Sequence, residues 1–262
     1  MDAERSESGS FLDLFSAQAA VYARARPRYP RGLFEFLAGL VPERRLAWDC
    51  GTGNGQAAVD LAEHFERVIA TDGSPAQLAQ ARPHARVEYR VMLAEQCDLE
   101  PASVDLITVA TDLHWFDVER FYAAVRRVLR PGGSLAAWCI GLHQVNDAVD
   151  AVCRKFYYET IGPYWHDRRR WVDERYATVP FPFDELQQVP TFECRRDWTL
   201  AELMDYLDSW SAVERFKRAR GYSPLQEIAG DLSAAWGRPD ERRTVTWPIY
   251  LRVGTVGSSA RG

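Results

Sequence analysis

One stretch decides the fold of this 262-residue chain, Leu46-Ala-Trp-Asp49-Cys-Gly51-Thr-Gly53-Asn-Gly55. It is typical of a short buried strand that ends in an acidic residue and opens into three alternating glycines. Glycine allows a tight turn in which backbone amides approach a ligand with no side chain between them. A helix is predicted directly after the turn, over about 56–64, so its first N–H groups face the same ligand.

Strands and helices alternate around this stretch, which is typical of a parallel sheet with crossover helices. We predict an α/β fold, a Rossmann-like seven-stranded mostly parallel sheet with helices on both faces, plus a helical cap from the N-terminus and from a late insertion. Pro131-Gly132-Gly133 is predicted to end the helix before the fifth strand. The first five strands are predicted at 46–50, 68–71, 87–91, 104–110 and 134–140.

The alternation fails after Ile140, where residues 145–178 have a helical, aromatic-rich pattern. Arg168-Arg-Arg170 is interpreted there as a solvated helical face. Further on we predict a strand at 192–198, a helix at about 200–209 and a last strand at 244–253. Pro248 fits that last strand only at a bulge or an edge.

Composition excludes several classes of protein. A net charge of -5 argues against a mainly electrostatic nucleic-acid binder. The five cysteines are scattered and form no C-x-x-C pair, so neither a zinc site nor a disulfide framework is predicted. No apolar run is long enough to span a membrane. We expect a soluble cytoplasmic protein with no metal and no nucleic-acid partner; the oligomeric state stays open.

The glycine turn has three readings at this point. It can be a tight turn only, and Gly53-x-Gly55-x-x-Ala58 also matches the dinucleotide pattern. Asp49, however, places a negative charge where a diphosphate would lie. S-adenosylmethionine (SAM) has no phosphate; its carboxylate can lie at the helix N-terminus and its ammonium group beside Asp49, directly or through water. Asp72 ends the second strand, where it can accept bonds from ribose hydroxyls or cap the turn before Ser74.

An ordered set of motifs resembles the class I SAM-dependent methyltransferases. The set consists of Asp49-x-Gly51-x-Gly53-x-Gly55, Thr71-Asp72-Gly-Ser74-Pro75, Ala94-Glu95 and Arg127-Val-Leu-Arg130-Pro131-Gly132-Gly133. A closer resemblance is to the methyltransferase type 11 group, especially proteins similar to trans-aconitate methyltransferase. That likeness is carried by Tyr22 with Arg26-Pro-Arg-Tyr-Pro30 and by His114-Trp-Phe116.

The resemblance implies SAM as cofactor and a defined set of cofactor-binding residues. Gly73 departs from the family pattern, which usually has a larger residue beside the adenine. The implied set is Tyr22, Arg26, Asp49, Cys50, Gly51, Thr52, Gly53, Asp72, Gly73, Gln77, Ala94, Glu95 and Ala110.

The expected reaction is methyl transfer to a small-molecule acceptor, by O-methylation of a carboxylate or hydroxyl. His114 follows the fourth strand and is a candidate general base; alternatively it braces Trp115 against the core. Trp115, Tyr164 and Trp165 are candidate acceptor-site residues, or simply core aromatics. A non-catalytic SAM-binding protein and an NAD(P)-dependent oxidoreductase remain as alternatives.

We predict five parts along the chain. They are an N-terminal helical lid at 1–42, a SAM-binding Rossmann-like core at 43–140, a helical cap insertion at 141–190, the end of the core with the last strands at 191–253, and a disordered tail at 254–262.

Overall fold

The computed structural model describes residues 27–256. The predicted roles of Tyr22 and Arg26 therefore lie outside the described residues, as do the predicted lid before residue 27 and the tail from 257 onward.

An eight-stranded mixed sheet forms the centre of the described chain, in the order β3-β2-β1-β4-β5-β8-β6, with β7 also pairing with β8. The first five strands run parallel, and β8 runs antiparallel to β5, β6 and β7. The Rossmann-like prediction is confirmed, with one short strand more than expected. The strands are β1 Leu46–Cys50, β2 Arg67–Asp72, β3 Val87–Val91, β4 Val104–Ala110, β5 Leu129–Ile140, β6 Asp184–Glu185, β7 Phe192–Trp198 and β8 Arg243–Thr255.

Four of the described α-helices begin at a residue whose side chain caps them. Ser74 accepts a bond from Gln77 N at the start of α3, and Thr199 forms a capping box with Glu202 at the start of α7. Sequence reasoning missed α8 and α9. The helices are α1 Arg31–Gly39, α2 Gln56–Leu61, α3 Pro75–Leu78, α4 Val118–Val128, α5 Asp147–Lys155, α6 Arg170–Asp173, α7 Leu200–Asp208, α8 Ser211–Arg220 and α9 Leu225–Trp236.

The sheet has a hydrophobic core on each face because strand side chains alternate. On β5, Ala136 and Trp138 belong to one core, while Leu135 and Ala137 belong to the other. The first core includes α1, α2, α5 and α7 to α9, and the second includes α4. Since β1, β2, β4 and β5 are parallel, their carboxyl ends meet at one edge, where open α/β sheets bind ligands.

The prediction that Pro131-Gly132-Gly133 ends a helix is wrong. Helix α4 ends at Val128, and these three residues belong to β5. Gly132 has a φ of +82°, and a Cβ on Gly133 would lie 2.9 Å from the Asp105 carbonyl oxygen. The glycines therefore allow an irregular start of β5 close against β4, where the strand register shifts.

Pro248 lies inside β8, one residue before the point at which β8 begins to pair with β5. Its carbonyl accepts a bond from Gly141 N at 2.8 Å, just beyond the end of β5. In a strand, the N and the C=O of one residue point to the same side. The nitrogen of Pro248 thus faces the side on which β5 has already ended, so no regular ladder bond to β5 is lost.

The segment after β5 is helical in part. Helices α5 and α6 are separated by a π-turn at Phe156–Thr160 and by 3₁₀ turns at Gly162–Tyr164 and Asp167–Arg169. None of the described helices combines the length and the apolarity needed to cross a membrane.

Candidate functional site

The turn after β1 needs its glycines for two reasons. Gly51, Gly53 and Gly55 have φ angles of +66°, +58° and +78°, which other residues rarely adopt. A Cβ on Gly51 would also lie 2.1 Å from Asp112 Oδ2, and one on Gly55 would lie 2.3 Å from the Tyr89 hydroxyl oxygen. Among residues 27–256, a Cβ on Gly53 would meet only Gln77 Oε1, at 3.9 Å. The backbone at Gly53 is therefore the part of the turn that a ligand can approach.

Asp49 is fully buried at the end of β1. Its carboxylate accepts hydrogen bonds from Thr52 Oγ1 at 2.5 Å and from Thr108 Oγ1 at 2.7 Å. Burial raises the pKa of Asp49 to about 6, although both hydroxyl donors act in the opposite direction. The Asp49 carboxylate thus connects the glycine turn to β4 by hydrogen bonds. It also places an ionisable group next to the turn.

Asp72 joins the turn after β1 to the turn after β2. Its Oδ2 accepts a bond from Gly53 N and its Oδ1 accepts one from Ser74 N, each at 2.8 Å. The bond from Ser74 N is the turn-capping role that the sequence left open. Because each carboxylate oxygen can accept more than one hydrogen bond, both backbone bonds are compatible with ribose binding, which stays a prediction.

The other predicted cofactor residues lie along the same edge. Cys50 and Gln77 are buried beside the glycine turn, and Ala110 is half-buried at the end of β4. Ala94 is buried in a 3₁₀ turn after β3. The Glu95 carboxylate accepts a bond from Asp117 N at 2.7 Å and so contacts the start of α4. Glu95 therefore links this turn to α4.

The donors and acceptors of this edge fit SAM. Two carboxylates, Asp49 and Asp72, flank the glycine turn and are close enough for Asp72 to raise the pKa of Asp49. Such a pair suits an ammonium group and ribose hydroxyls and disfavours a diphosphate. The residues that would hold SAM are therefore those of the turns after β1 and β2.

His114 lies in a 3₁₀ turn after β4 and is only 4% exposed. Its Nδ1 is 3.0 Å from the Tyr176 hydroxyl oxygen. Arg168 Nη1 donates to the Trp115 carbonyl at 2.7 Å, at the end of the same turn. Two residues of the segment after β5 thus hold the His114 turn, which supports the bracing alternative; the general-base role stays a prediction.

The interpretation of Arg168-Arg-Arg170 as a solvated face is wrong for Arg169, whereas Arg168 and Arg170 are exposed. Arg168 binds the backbone of the His114 turn. Arg169 Nε donates to the Tyr157 hydroxyl at 2.8 Å, and its guanidinium lies 4.8 Å from the centre of the Trp165 ring. These contacts depend on distant segments, which a local charge pattern does not show. Arg170 is exposed and pairs with Glu174.

The three candidate acceptor-site aromatics lie in different surroundings. The Trp115 ring packs against His166 with centroids 4.9 Å apart. Tyr164 packs against Phe216 of α8, and its hydroxyl accepts a bond from Arg220 Nε at 2.9 Å. Trp165 Nε1 donates to the Tyr157 carbonyl at 3.3 Å. The structure therefore favours the core alternative for Tyr164, and the acceptor roles of all three stay predictions.

A cavity of about 170 Å³ lies beyond the carboxyl end of β5. Three arginines and one carboxylate line it, so its charged groups are mainly positive. Sequence reasoning missed this cavity because its wall comes from four separate stretches of chain. The wall is formed by residues 140–144, by Arg154 and Tyr158, by Arg169, Val172, Asp173 and Arg175, and by Tyr250.

Comparison with known proteins indicates the same kind of protein as the site geometry does. Residues 48–137 match a family model described as a methyltransferase domain. A protein of Dictyostelium discoideum that is named a methyltransferase is 36% identical, over 92% of this chain and 94% of its own. The chain belongs to the class I SAM-dependent methyltransferases. A structure from Anaeromyxobacter dehalogenans described as a type II methyltransferase has a TM-score of 0.83 and 47% identity, covering 88% of this chain and 97% of its own.

This methyltransferase also uses residues that its family motifs did not indicate. Thr108 holds Asp49, and Asp112 and Tyr89 fill the space beside Gly51 and Gly55. Tyr176 contacts His114. The sequence could have indicated Thr108 and Asp112 by their positions. Thr108 lies near the carboxyl end of β4, and Asp112 lies just beyond it. No local signal marks Tyr176, because its contact depends on the path of the chain after β5.

The methyltransferase is expected to bind SAM more tightly as pH rises through about 6. The bound ammonium group favours ionised Asp49, whose pKa is about 6 in the protein alone. Below that pH, binding must release a proton, so affinity falls by up to about tenfold per pH unit. Calorimetry at pH 5, 6, 7 and 8, in buffers of different ionisation enthalpy, measures both the affinity and the proton release.

Asp49→Asn is the matched control for this pH dependence. The variant keeps an acceptor for Thr52 or Thr108 but has no charge to titrate. Its SAM affinity should be weaker and nearly flat over the same pH range. An equal slope in both proteins would show that another group causes it.

Proposed function

We propose that this methyltransferase moves the methyl group of SAM to a carboxylate or hydroxyl oxygen of a small molecule bound in the cavity beyond β5. The observation that carries the proposal is the lining of that cavity, which contains three arginines, Arg154, Arg169 and Arg175, and a single carboxylate, Asp173. Guanidinium groups match carboxylates in shape and charge. The cavity therefore suits a small acidic acceptor.

The reaction places few demands on side-chain chemistry. Bound SAM supplies an electrophilic methyl group on a sulfonium. The turns after β1 and β2 hold it through Gly53, Asp49 and Asp72, and the arginines orient the acceptor. Displacement at a methyl group needs nucleophile, carbon and leaving group in line, so positioning and exclusion of water do most of the work. The segment after β5 covers this edge through Arg168 and Tyr176.

The two acceptor classes differ in their need for a base. A carboxylate is already nucleophilic at neutral pH and needs none. A hydroxyl must lose a proton, and His114 is then the candidate base. The excess of arginines favours the carboxylate.

A methyl-transfer screen tests the proposal. The enzyme is incubated with SAM and a panel of small carboxylic acids, phenols, alcohols and amines, and S-adenosylhomocysteine (SAH) and methylated products are measured by mass spectrometry. We expect methyl esters from at least one acid. Arg154→Gln and Arg175→Gln should each raise the KM for that acid about tenfold or more, since a charged hydrogen bond contributes about 1.5–3 kcal/mol.

Arg170→Gln is the control, because Arg170 is exposed beside the cavity residues and pairs with Glu174. Its KM should stay within about twofold of the unmodified enzyme. Methylation of phenols or amines alone would contradict the acidic acceptor. SAM binding with no transfer to any compound would favour the non-catalytic alternative.

A further inference from the structure

Arg175 and Tyr250 meet in the wall of the cavity beyond β5. The guanidinium carbon of Arg175 lies 4.7 Å from the centre of the Tyr250 ring. An aromatic face attracts a cation, and it does so without a carboxylate, so the positive charge stays available to an anion. The two side chains therefore form one unit, in which the ring orients the charge.

Two of the cavity arginines differ in what already compensates their charge. Arg169 Nε lies 3.8 Å from Asp173 Oδ1 and donates to the Tyr157 hydroxyl. Arg175 is exposed, and its guanidinium forms no hydrogen bond or ion pair with any of residues 27–256. The charge of Arg175 is therefore more available to a bound acid than the charge of Arg169.

The backbone at Arg175 is in an unusual conformation. Arg175 and Tyr176 are consecutive and have φ angles of +58° and +59°, a region that residues with a Cβ rarely adopt. The Tyr176 hydroxyl oxygen lies 3.0 Å from His114 Nδ1, while the Arg175 guanidinium lies over Tyr250. Backbone strain of this kind is concentrated at functional sites. The strained turn thus directs one side chain to the His114 turn and the next to the cavity.

The Tyr250 hydroxyl is open to a ligand. Tyr250 is paired with Cys139, one residue before the end of β5, so it lies at the carboxyl end of that strand. Its hydroxyl forms no hydrogen bond within residues 27–256 and, unlike the hydroxyl of Tyr122, it is not buried. A group that enters the cavity can therefore bond to it without displacing a partner in the described chain.

Gly141 leaves room for the Tyr250 ring in the cavity wall. A Cβ at Gly141 would lie 2.7 Å from Tyr250 Cε2 and 3.2 Å from the Tyr250 hydroxyl oxygen. Gly141 itself lines the cavity. The absence of a side chain at Gly141 allows this close approach, which places the phenol hydroxyl at the cavity.

We propose that Tyr250 binds and positions the acceptor acid. Its ring orients the Arg175 guanidinium, and its hydroxyl donates a hydrogen bond to the carboxylate that this guanidinium binds. The inference rests on the proposed function and deepens it, since it assigns the two groups that hold the acid. The favoured ligand is an ionised carboxylic acid, and its uncharged amide should bind more weakly.

Tyr250→Phe tests the hydroxyl, because it keeps the ring that contacts Arg175. Acid binding is measured by calorimetry on the SAH-loaded enzyme, with benzoate, salicylate and succinate as probes. We expect at least one acid to bind, and its affinity to fall about tenfold in Tyr250→Phe, as for the loss of a hydrogen bond to a charged group. Affinity for SAH and the melting temperature should not change, since the hydroxyl has no partner in the described chain.

Three results would overturn the proposal. They are no binding of any of the three acids, unchanged affinity of Tyr250→Phe for every acid that binds, and a fall in acid affinity matched by an equal fall in SAH affinity. The last result would show general damage to the fold.

Tyr250→Leu tests the ring. It removes the contact with Arg175 together with the hydroxyl, so acid affinity should fall by a further factor of about three or more beyond Tyr250→Phe. Equal affinities in the two variants would show that the ring does not orient Arg175.

Tyr222→Phe is the matched control. Tyr222 is an exposed tyrosine between α8 and α9, and its hydroxyl donates to Glu227 Oε1 at 2.7 Å. Its loss should leave acid binding unchanged. An assay of SAH production with the acid that binds separates the two proposals. Binding through Tyr250 without turnover contradicts the proposed function alone, whereas ester formation with an unchanged KM in Tyr250→Phe contradicts this inference alone.

Discussion

Gly51→Ala is expected to abolish measurable SAM binding and to destabilise the protein. The added Cβ would lie 2.1, 2.7 and 2.8 Å from three atoms of the Asp112 side chain. One of these atoms is the Asp112 Cβ, which moves only if the backbone moves. The φ of +66° adds backbone strain for any residue with a Cβ. Together the clash and the strain should lower the free energy of unfolding by about 2–5 kcal/mol.

Urea unfolding and calorimetric titration with SAH measure the two effects of Gly51→Ala. Affinity should fall at least about 100-fold, because the turn that carries Gly53 N moves when Gly51 moves. Gly230→Ala is the control. Gly230 lies inside α9, and a Cβ added there would have no heavy atom of the described chain within 4 Å. That variant should gain about 0.5–1 kcal/mol of stability and bind SAH normally.

Gly53→Ala refines the same test. Its Cβ would meet no atom of the described residues closer than 3.9 Å, so the clash expected at Gly51 does not arise. We expect a smaller loss of stability, from strain at a φ of +58° alone, but a clear loss of SAH affinity. Equal affinity for SAH in all three glycine variants would contradict the assignment of this turn to the cofactor.

Asp72→Ala is expected to weaken SAM binding about 100-fold or more. The substitution removes the acceptor for Gly53 N and for Ser74 N, so the two turns lose their connection. It also removes the predicted acceptor for the ribose hydroxyls. Each charged hydrogen bond contributes about 1.5–3 kcal/mol, and a loss of about 1.4 kcal/mol corresponds to tenfold in affinity.

A nucleoside comparison isolates the ribose contact in this prediction. Calorimetry compares 5′-methylthioadenosine with its 2′-deoxy analogue on the unmodified enzyme and on Asp72→Asn. The unmodified enzyme should prefer the ribose form, and the variant should lose most of that preference. Asp231→Ala, an exposed carboxylate on α9, serves as the control. Unchanged SAM affinity in Asp72→Ala would show that the ribose assignment is wrong.

The cofactor side of the enzyme could be predicted because its determinants are local. A buried strand, three glycines and an acid at the end of the next strand each depend on a few neighbouring residues. The structure confirms β1 at Leu46–Cys50 and places Asp72 at the end of β2. The prediction for Pro131-Gly132-Gly133 was wrong because these residues join β5. Their place in β5 depends on its pairing with β4, where the register shifts, and local sequence does not show that pairing.

The proposed acceptor side could not be predicted in the same way. Arg169 was interpreted as solvated, but it lies between Tyr157 and Trp165. Tyr164, a candidate on composition, packs instead against α8, a helix that local patterns did not indicate.

The sequence by itself determined the alternation of strands and helices, the glycine turn and the identity of the methyl donor. Short-range sterics set those features, since a turn with positive φ angles and a strand ending in an acid are encoded within a few residues. Only the tertiary structure decided the cavity that we propose for the acceptor. Its wall joins residues 140–144, Arg169 and Tyr250, which are separated in the chain and meet only when β8 pairs with β5 and the segment between them packs over the sheet edge.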